Sequence, residues 1–135
     1  MKQHTTNYIS TFIEIAADSP ADSGEAPPLK GNKRTAASIQ FEMIRDNPYK
    51  YTSDDVLFHV FAEKNELTKS ELKTARQEFF SKGQPCFRAS PLTKRYGWGV
   101  HSDKDGRLAI YGAETAAYKK LASDKSLTVV KAMKS

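Results

Sequence analysis

Residues 86–112 read CFRASPLTKRYGWGVHSDKDGRLAIYG. Two segments of this stretch, Gly97–Ser102 and Arg107–Tyr111, are short, rich in β-branched and aromatic residues, and flank Lys104-Asp105-Gly106. An Asp-Gly pair between two such segments is a strong hairpin signal, because it supplies the positive φ that tight hairpin turns require. The stretch therefore predicts an antiparallel hairpin in the C-terminal half. Upstream of it, Cys86-Phe87-Arg88-Ala89 is expected as a short strand, with Ser90-Pro91 opening a turn.

Downstream, Glu114 to about Ser123 reads as a helix with Ala117 and Leu121 facing inward beside Tyr118. Leu127, Val129 and Met133 mark a last strand at a sheet edge, with lysines on its outer side. Upstream, Ile9 to Ile15 alternates with a period of two and is dominated by β-branched residues, which predicts a half-buried strand. Residues 17–33 are rich in Pro, Gly, Ser and Asp and lack periodicity, so they form a long irregular loop, either mobile or a cover over a cleft.

Three helices are expected between that loop and the central stretch. The first runs from Thr35, a candidate N-cap, to about Asp46, with Ala36, Ile39, Met43 and Ile44 at helical spacing and Asn47-Pro48 ending it. Ser53 is a candidate cap for the second, and Asp54 and Asp55 sit where the helix dipole favours negative charge. Thr68-Lys69-Ser70-Glu71 is a capping box for the third, which is expected to end at Gly83. No internal repeat and no domain break appears. The predicted fold is a single α+β domain, residues 1–135, with a mainly antiparallel sheet carrying the C-terminal-half hairpin, packed against about four helices.

Composition narrows the classes. A hydrophobic fraction of 39% with seven Phe and six Tyr is too high for a disordered chain. No apolar run is long enough to cross a bilayer, and the N-terminus MKQHTTNYISTF lacks the pattern of a secretion signal. A single cysteine forms no internal disulfide. The expected setting is the cytoplasm, with no membrane partner. The net charge of +5 is uneven: residues 1–81 hold 10 Lys/Arg against 12 Asp/Glu, and residues 82–135 hold 11 against 4. That asymmetry points to an anionic partner for the C-terminal half, with a solvated basic face as the competing reading.

Several blocks carry a family resemblance: His4-Thr5-Thr6-Asn7-Tyr8, Pro27-Pro28-x-Lys30-Gly31, Asn47 to Val56 (NPYKYTSDDV), Phe80-Ser81-Lys82-Gly83-Gln84 and, most specific, Arg88 to Gly99 (RASPLTKRYGWG). In these the chain resembles a family of short bacterial and fungal proteins classed as a domain of unknown function. The resemblance covers nearly the whole chain. It implies a single-domain architecture and carries no activity, substrate or catalytic residue.

Four constellations could carry chemistry. The first is an anion site for phosphate or carboxylate built from Arg88, Ser90, Thr93, Lys94, Arg95 and His101, walled by Tyr96 or Trp98. Arginine offers a planar fork of donors matched to these groups, and lysine adds a point charge. The competing reading pairs Arg88 with Asp54 or Asp55. The second is nucleophilic catalysis by Cys86 with His101 or His59 as base, against a Cys86 that is buried and inert. The third is Asp54-Asp55 as a cation or amine site, against a simple first-turn role. The fourth is stacking of single-stranded nucleic acid on Tyr96, Trp98 and Tyr111 among Lys94, Arg95 and Arg107. A DNA-reading helix-turn-helix fits poorly, since the third helix has nearly balanced charge. No nucleotide motif, cofactor motif or metal-ligand spacing is present, so no cofactor and no metal is expected. The leading expectation is a small-molecule binding module for an anionic ligand.

Overall fold

The structure is a computed structural model that describes residues 2–135. It is an α+β protein: five helices and a four-stranded sheet of order β3-β2-β1-β4. The strands are β1 (Thr11–Glu14), β2 (Trp98–Ser102), β3 (Leu108–Gly112) and β4 (Thr128–Lys131). β2 pairs antiparallel with both β1 and β3, and β4 runs parallel to β1 at the edge. The hairpin forms where the Asp-Gly pair predicts it, with Gly106 at φ +78° in its turn.

The helices are α1 (Ala36–Asp46), α2 (Ser53–Lys64), α3 (Leu72–Phe79), α4 (Pro91–Lys94) and α5 (Ala116–Ala122). Capping residues set their starts. Thr35 caps α1 and exchanges hydrogen bonds with Ser38. α2 is capped by Thr52 rather than by Ser53: the Thr52 hydroxyl accepts from Asp55 N while Asp55 accepts from Thr52 N. Thr68 and Glu71 form the expected capping box, opening a 3-10 turn (Lys69–Glu71) that leads into α3.

The segment expected as a strand at Cys86–Ala89 is instead a 3-10 turn over Phe87–Ala89, leading directly into α4. Ser90 is the N-cap of α4 and Pro91 its first residue. That Ser-Pro order suits a helix start as well as a turn, because proline lacks an N–H that the first helical position leaves unpaired anyway. In α5, Tyr118 is buried and Leu121 half-buried, while Ala117, expected to face inward, is exposed, so the inward face centres on Tyr118.

One sheet face carries Ile13, Val100 and Leu108, which pack with Ile44, Val56, Phe87 and Leu92 into the main core. Phe12, Gly99 and His101 lie on the opposite face, where Phe12 meets Tyr118 of α5 edge-on at 5.0 Å. Gly99 makes that approach feasible: a Cβ there would lie 2.5 Å from Phe12 and 2.6 Å from Tyr118.

The 17–33 loop is tied down. Glu25 N donates to Tyr96 O at 2.8 Å, Trp98 Nε1 donates to Glu25 O at 2.8 Å, and Gly24 N donates to the Glu114 carboxylate at 2.9 Å. Gly97, at φ +77°, packs against the Ser23 carbonyl. The N-terminal segment is pinned as firmly. Asp54 is 9% exposed, and its carboxylate accepts from Thr5 Oγ, Thr6 N and Thr6 Oγ, each at 2.7 Å. Asn7 Oδ1 in turn accepts from Asp54 N at 2.9 Å.

Candidate functional site

The residues of the anion constellation do not share one site. Arg88 faces the β4 edge. Its Nε donates to Lys131 O at 2.8 Å, and its own carbonyl accepts from Met133 N. It pairs with neither Asp54 nor Asp55, since Asp55 is held by Arg76 at 3.0 Å.

Ser90 and Thr93 are buried with their hydroxyls committed internally. Ser90 Oγ donates to Gln40 Oε1 at 2.7 Å, and Thr93 Oγ donates to Phe87 O at 2.6 Å. Trp98 and His101 are three residues apart on β2 and so project from opposite faces. Trp98 packs on Phe41 at 5.3 Å, with its indole N–H given to Glu25.

Lys94, Arg95 and Tyr96 do come together. They line a cavity of about 620 Å³ with Lys30, Leu29 and the start of α1 at Thr35, Ala36 and Ala37. Lys94 is the last residue of α4 and Arg95 its C-cap, so the turn of α4 places both along the cavity that the start of α1 also lines. Lys30 arrives from the end of the long loop, where Gly31 at φ +65° lets Lys30 and Lys33 close a tight bridge.

No carboxylate lines this cavity, and none of its three cations takes part in an ion pair among the described residues. The first turn of α1 has no acidic residue. Because Thr35 Oγ takes the N–H of Ser38, those of Ala36 and Ala37 have no intrahelical acceptor. Helix N–H groups and three cations give the cavity one sign of potential throughout.

Lys30 and the α1 start were not among the candidate residues from the sequence. The only signals were local: Lys30 sits in the Pro-Pro-x-Lys-Gly block, and the helix start Ala-Ala-Ser lacks acid. Their convergence with Lys94 and Arg95 is tertiary.

Cys86 and His101 are not partners. The Cys86 thiol lies 3.3 Å from the Tyr8 hydroxyl, whose pKa rises through that hydrogen bond and burial, with Arg88 opposing. His101 Nδ1 lies 2.7 Å from Tyr49 Oη, which also meets Tyr111 Oη at 2.8 Å. Burial lowers the His101 pKa against the pull of Asp103 and Asp124. Burial, then the Tyr111 hydrogen bond, raises that of Tyr49. The Tyr49 phenol thus keeps its proton and bridges the His101 ring and the Tyr111 hydroxyl.

His59 is exposed on α2 and lies 3.7 Å from Glu63, and the side-chain hydrogen bond of Cys86 goes to Tyr8. Asp54 and Asp55 diverge to separate partners. No group of three or more potential metal ligands forms among the described residues.

Fold and cavity together define a small α+β protein with a basic cavity at the junction of α1, α4 and the long loop. The chain belongs to DUF6157, a family of unknown function, whose model matches residues 3–135. No curated protein and no solved structure matches it. No described helix is long and apolar enough to cross a membrane.

Proposed function

We propose that this protein is a binding module for a small anion, phosphate or carboxylate, held in the cavity formed by Lys30, Lys94, Arg95 and the start of α1. The observation that supports this reading is the convergence of three unpaired cations on an acid-free cavity at an uncapped pair of helix N–H groups. Arg95 supplies bidentate donors, Lys30 and Lys94 supply charge, and the N–H groups of Ala36 and Ala37 orient the anion. Leu29 and Tyr96 add an apolar wall for whatever the anion is attached to. Arg88, Ser90, Thr93, Trp98 and His101 are assigned structural roles. Arg88 holds the β4 edge, Ser90 and Thr93 hold the turn into α4, Trp98 holds the long loop, and His101 holds the Tyr49 phenol.

The test is thermal stabilisation by inorganic pyrophosphate. At ten times its Kd, linkage gives about 1.4 kcal/mol, a rise in Tm of roughly 5 °C for a chain of this length. The Lys94→Ala/Arg95→Ala double variant is expected to keep its Tm in plain buffer and lose that rise. An equal rise in the variant and the wild type refutes the assignment.

A further inference from the structure

A second, smaller cleft lies on the other side of Ala89 and Pro91, which wall both cavities. Its volume is about 190 Å³, and its walls include Leu57, Val60, Phe79 and Pro85. No charged residue lines it among the described residues.

Gln40 of α1 borders this cleft and is 5% exposed. Its Oε1 accepts a hydrogen bond from Ser90 Oγ at 2.7 Å, while Ser90 Oγ itself accepts from Leu92 N at 3.1 Å. Nothing among the described residues accepts from Gln40 Nε2. Every fully occluded side-chain N or O that is described does have a partner. The Gln40 NH2 is therefore open to space, and the cleft is the cavity it borders. This NH2 opens onto an apolar-walled cleft from a residue that is 5% exposed, so its partners are limited to water or to an oxygen delivered into the cleft. Gln84 lines the same cleft and has given its Nε2 to Phe79 O at 2.8 Å, which leaves its amide oxygen as an acceptor.

We propose that this cleft binds a small uncharged molecule with an apolar body and a carboxamide or other carbonyl group, whose oxygen accepts from Gln40 Nε2. Its walls favour an apolar body by burial. An anion is disfavoured, because a charge desolvated here meets no counter-charge. Room for about six waters at ~30 Å³ each sets the ligand at roughly six non-hydrogen atoms. This site is independent of the basic cavity, and its ligand is neutral.

Isobutyramide and isobutyrate match in shape and differ in charge, which makes them the probe pair. In ¹⁵N-labelled protein, isobutyramide is expected to shift the Gln40 side-chain NH2 signals and the Ala89 amide saturably, and isobutyrate at equal concentration is not. Gln40→Met is expected to weaken isobutyramide binding roughly fivefold, the worth of one net hydrogen bond. Leu57→Phe, which fills the cleft and leaves Gln40 and Ser90 in place, is expected to abolish it. The proposal is overturned by the absence of a saturable shift, by equal binding of isobutyrate, or by unchanged affinity in Gln40→Met. Should Gln40→Met fail to fold, continued binding by Leu57→Phe overturns it as well.

Discussion

Asp54→Ala removes the acceptor that fastens the N-terminal segment to the start of α2. Three donors from Thr5 and Thr6 converge on the carboxylate at 2.7 Å, two of them on Oδ1. Hydrogen bonds to a charged group are worth about 1.5–3 kcal/mol each while their surroundings stay folded. Residues 2–8 include only one fully buried side chain, Thr6, so the segment can fray and return its donors to water. That escape caps the loss at about 3 kcal/mol, below the sum of the three bonds. For a chain of 135 residues this is a fall in Tm of about 10 °C.

Asp54→Asn keeps the Oδ1 position and both of its Thr6 bonds. Thr5 Oγ can rotate to accept from the new amide. Its expected cost is about 1 kcal/mol. Urea unfolding followed by circular dichroism measures both variants, and hydrogen exchange at Thr6 N reports the fraying directly. An Asp54→Ala protein within about 0.5 kcal/mol of wild type, with Thr6 still protected, would show that the carboxylate does not hold the segment. Equal losses in the Asn and Ala variants would assign the effect to charge and not to the hydrogen-bond geometry.

Other outcomes follow from the packing and the titrating groups. Gly99→Ala is expected to cost about 2 kcal/mol in urea unfolding, because its Cβ enters the contact between Phe12 and Tyr118. Gly83→Ala, with nothing within 4 Å, is expected to be near neutral; similar losses in both would discredit the packing account of Gly99. The burial that lowers the His101 pKa leaves the unfolded chain binding more protons between that lowered value and about 6.5. Stability should therefore fall as the pH drops through this window. His101→Gln, whose amide can still hydrogen-bond Tyr49, should flatten the slope, and an unchanged slope means that the titrating group lies elsewhere.

How far local residues decide structure is clearest in the helix caps and the hairpin. Thr35 and the Thr68/Glu71 pair cap helical starts as their side-chain chemistry demands. Asp105-Gly106 turns the chain where the backbone needs a positive φ. At Cys86–Ala89 local reading fails, since four residues without periodicity are equally compatible with a strand or a 3-10 turn. Phe87 settles the matter: it is 1% exposed in the main core, a position that tertiary packing sets. Gln40 was visible in principle, because it stands four residues before Ile44 on the apolar face of α1. A polar residue there must find partners, yet sequence cannot say that only one end of its amide would.

Local sequence settled most of the helices, the hairpin and the capping turns, the α+β class, and the excess of positive charge in the C-terminal half, but not the segment at Cys86–Ala89. These follow from interactions over a few residues: hydrogen bonds at caps, periodic apolar faces and permitted backbone angles. Tertiary structure alone decided which cations share a cavity. Arg88 and Arg95 are seven residues apart, yet one is bound to the β4 edge and the other lines a cavity with Lys30, 65 residues away in the chain. Where a long side chain points is settled by the packing of distant elements around it, and the local pattern does not encode that.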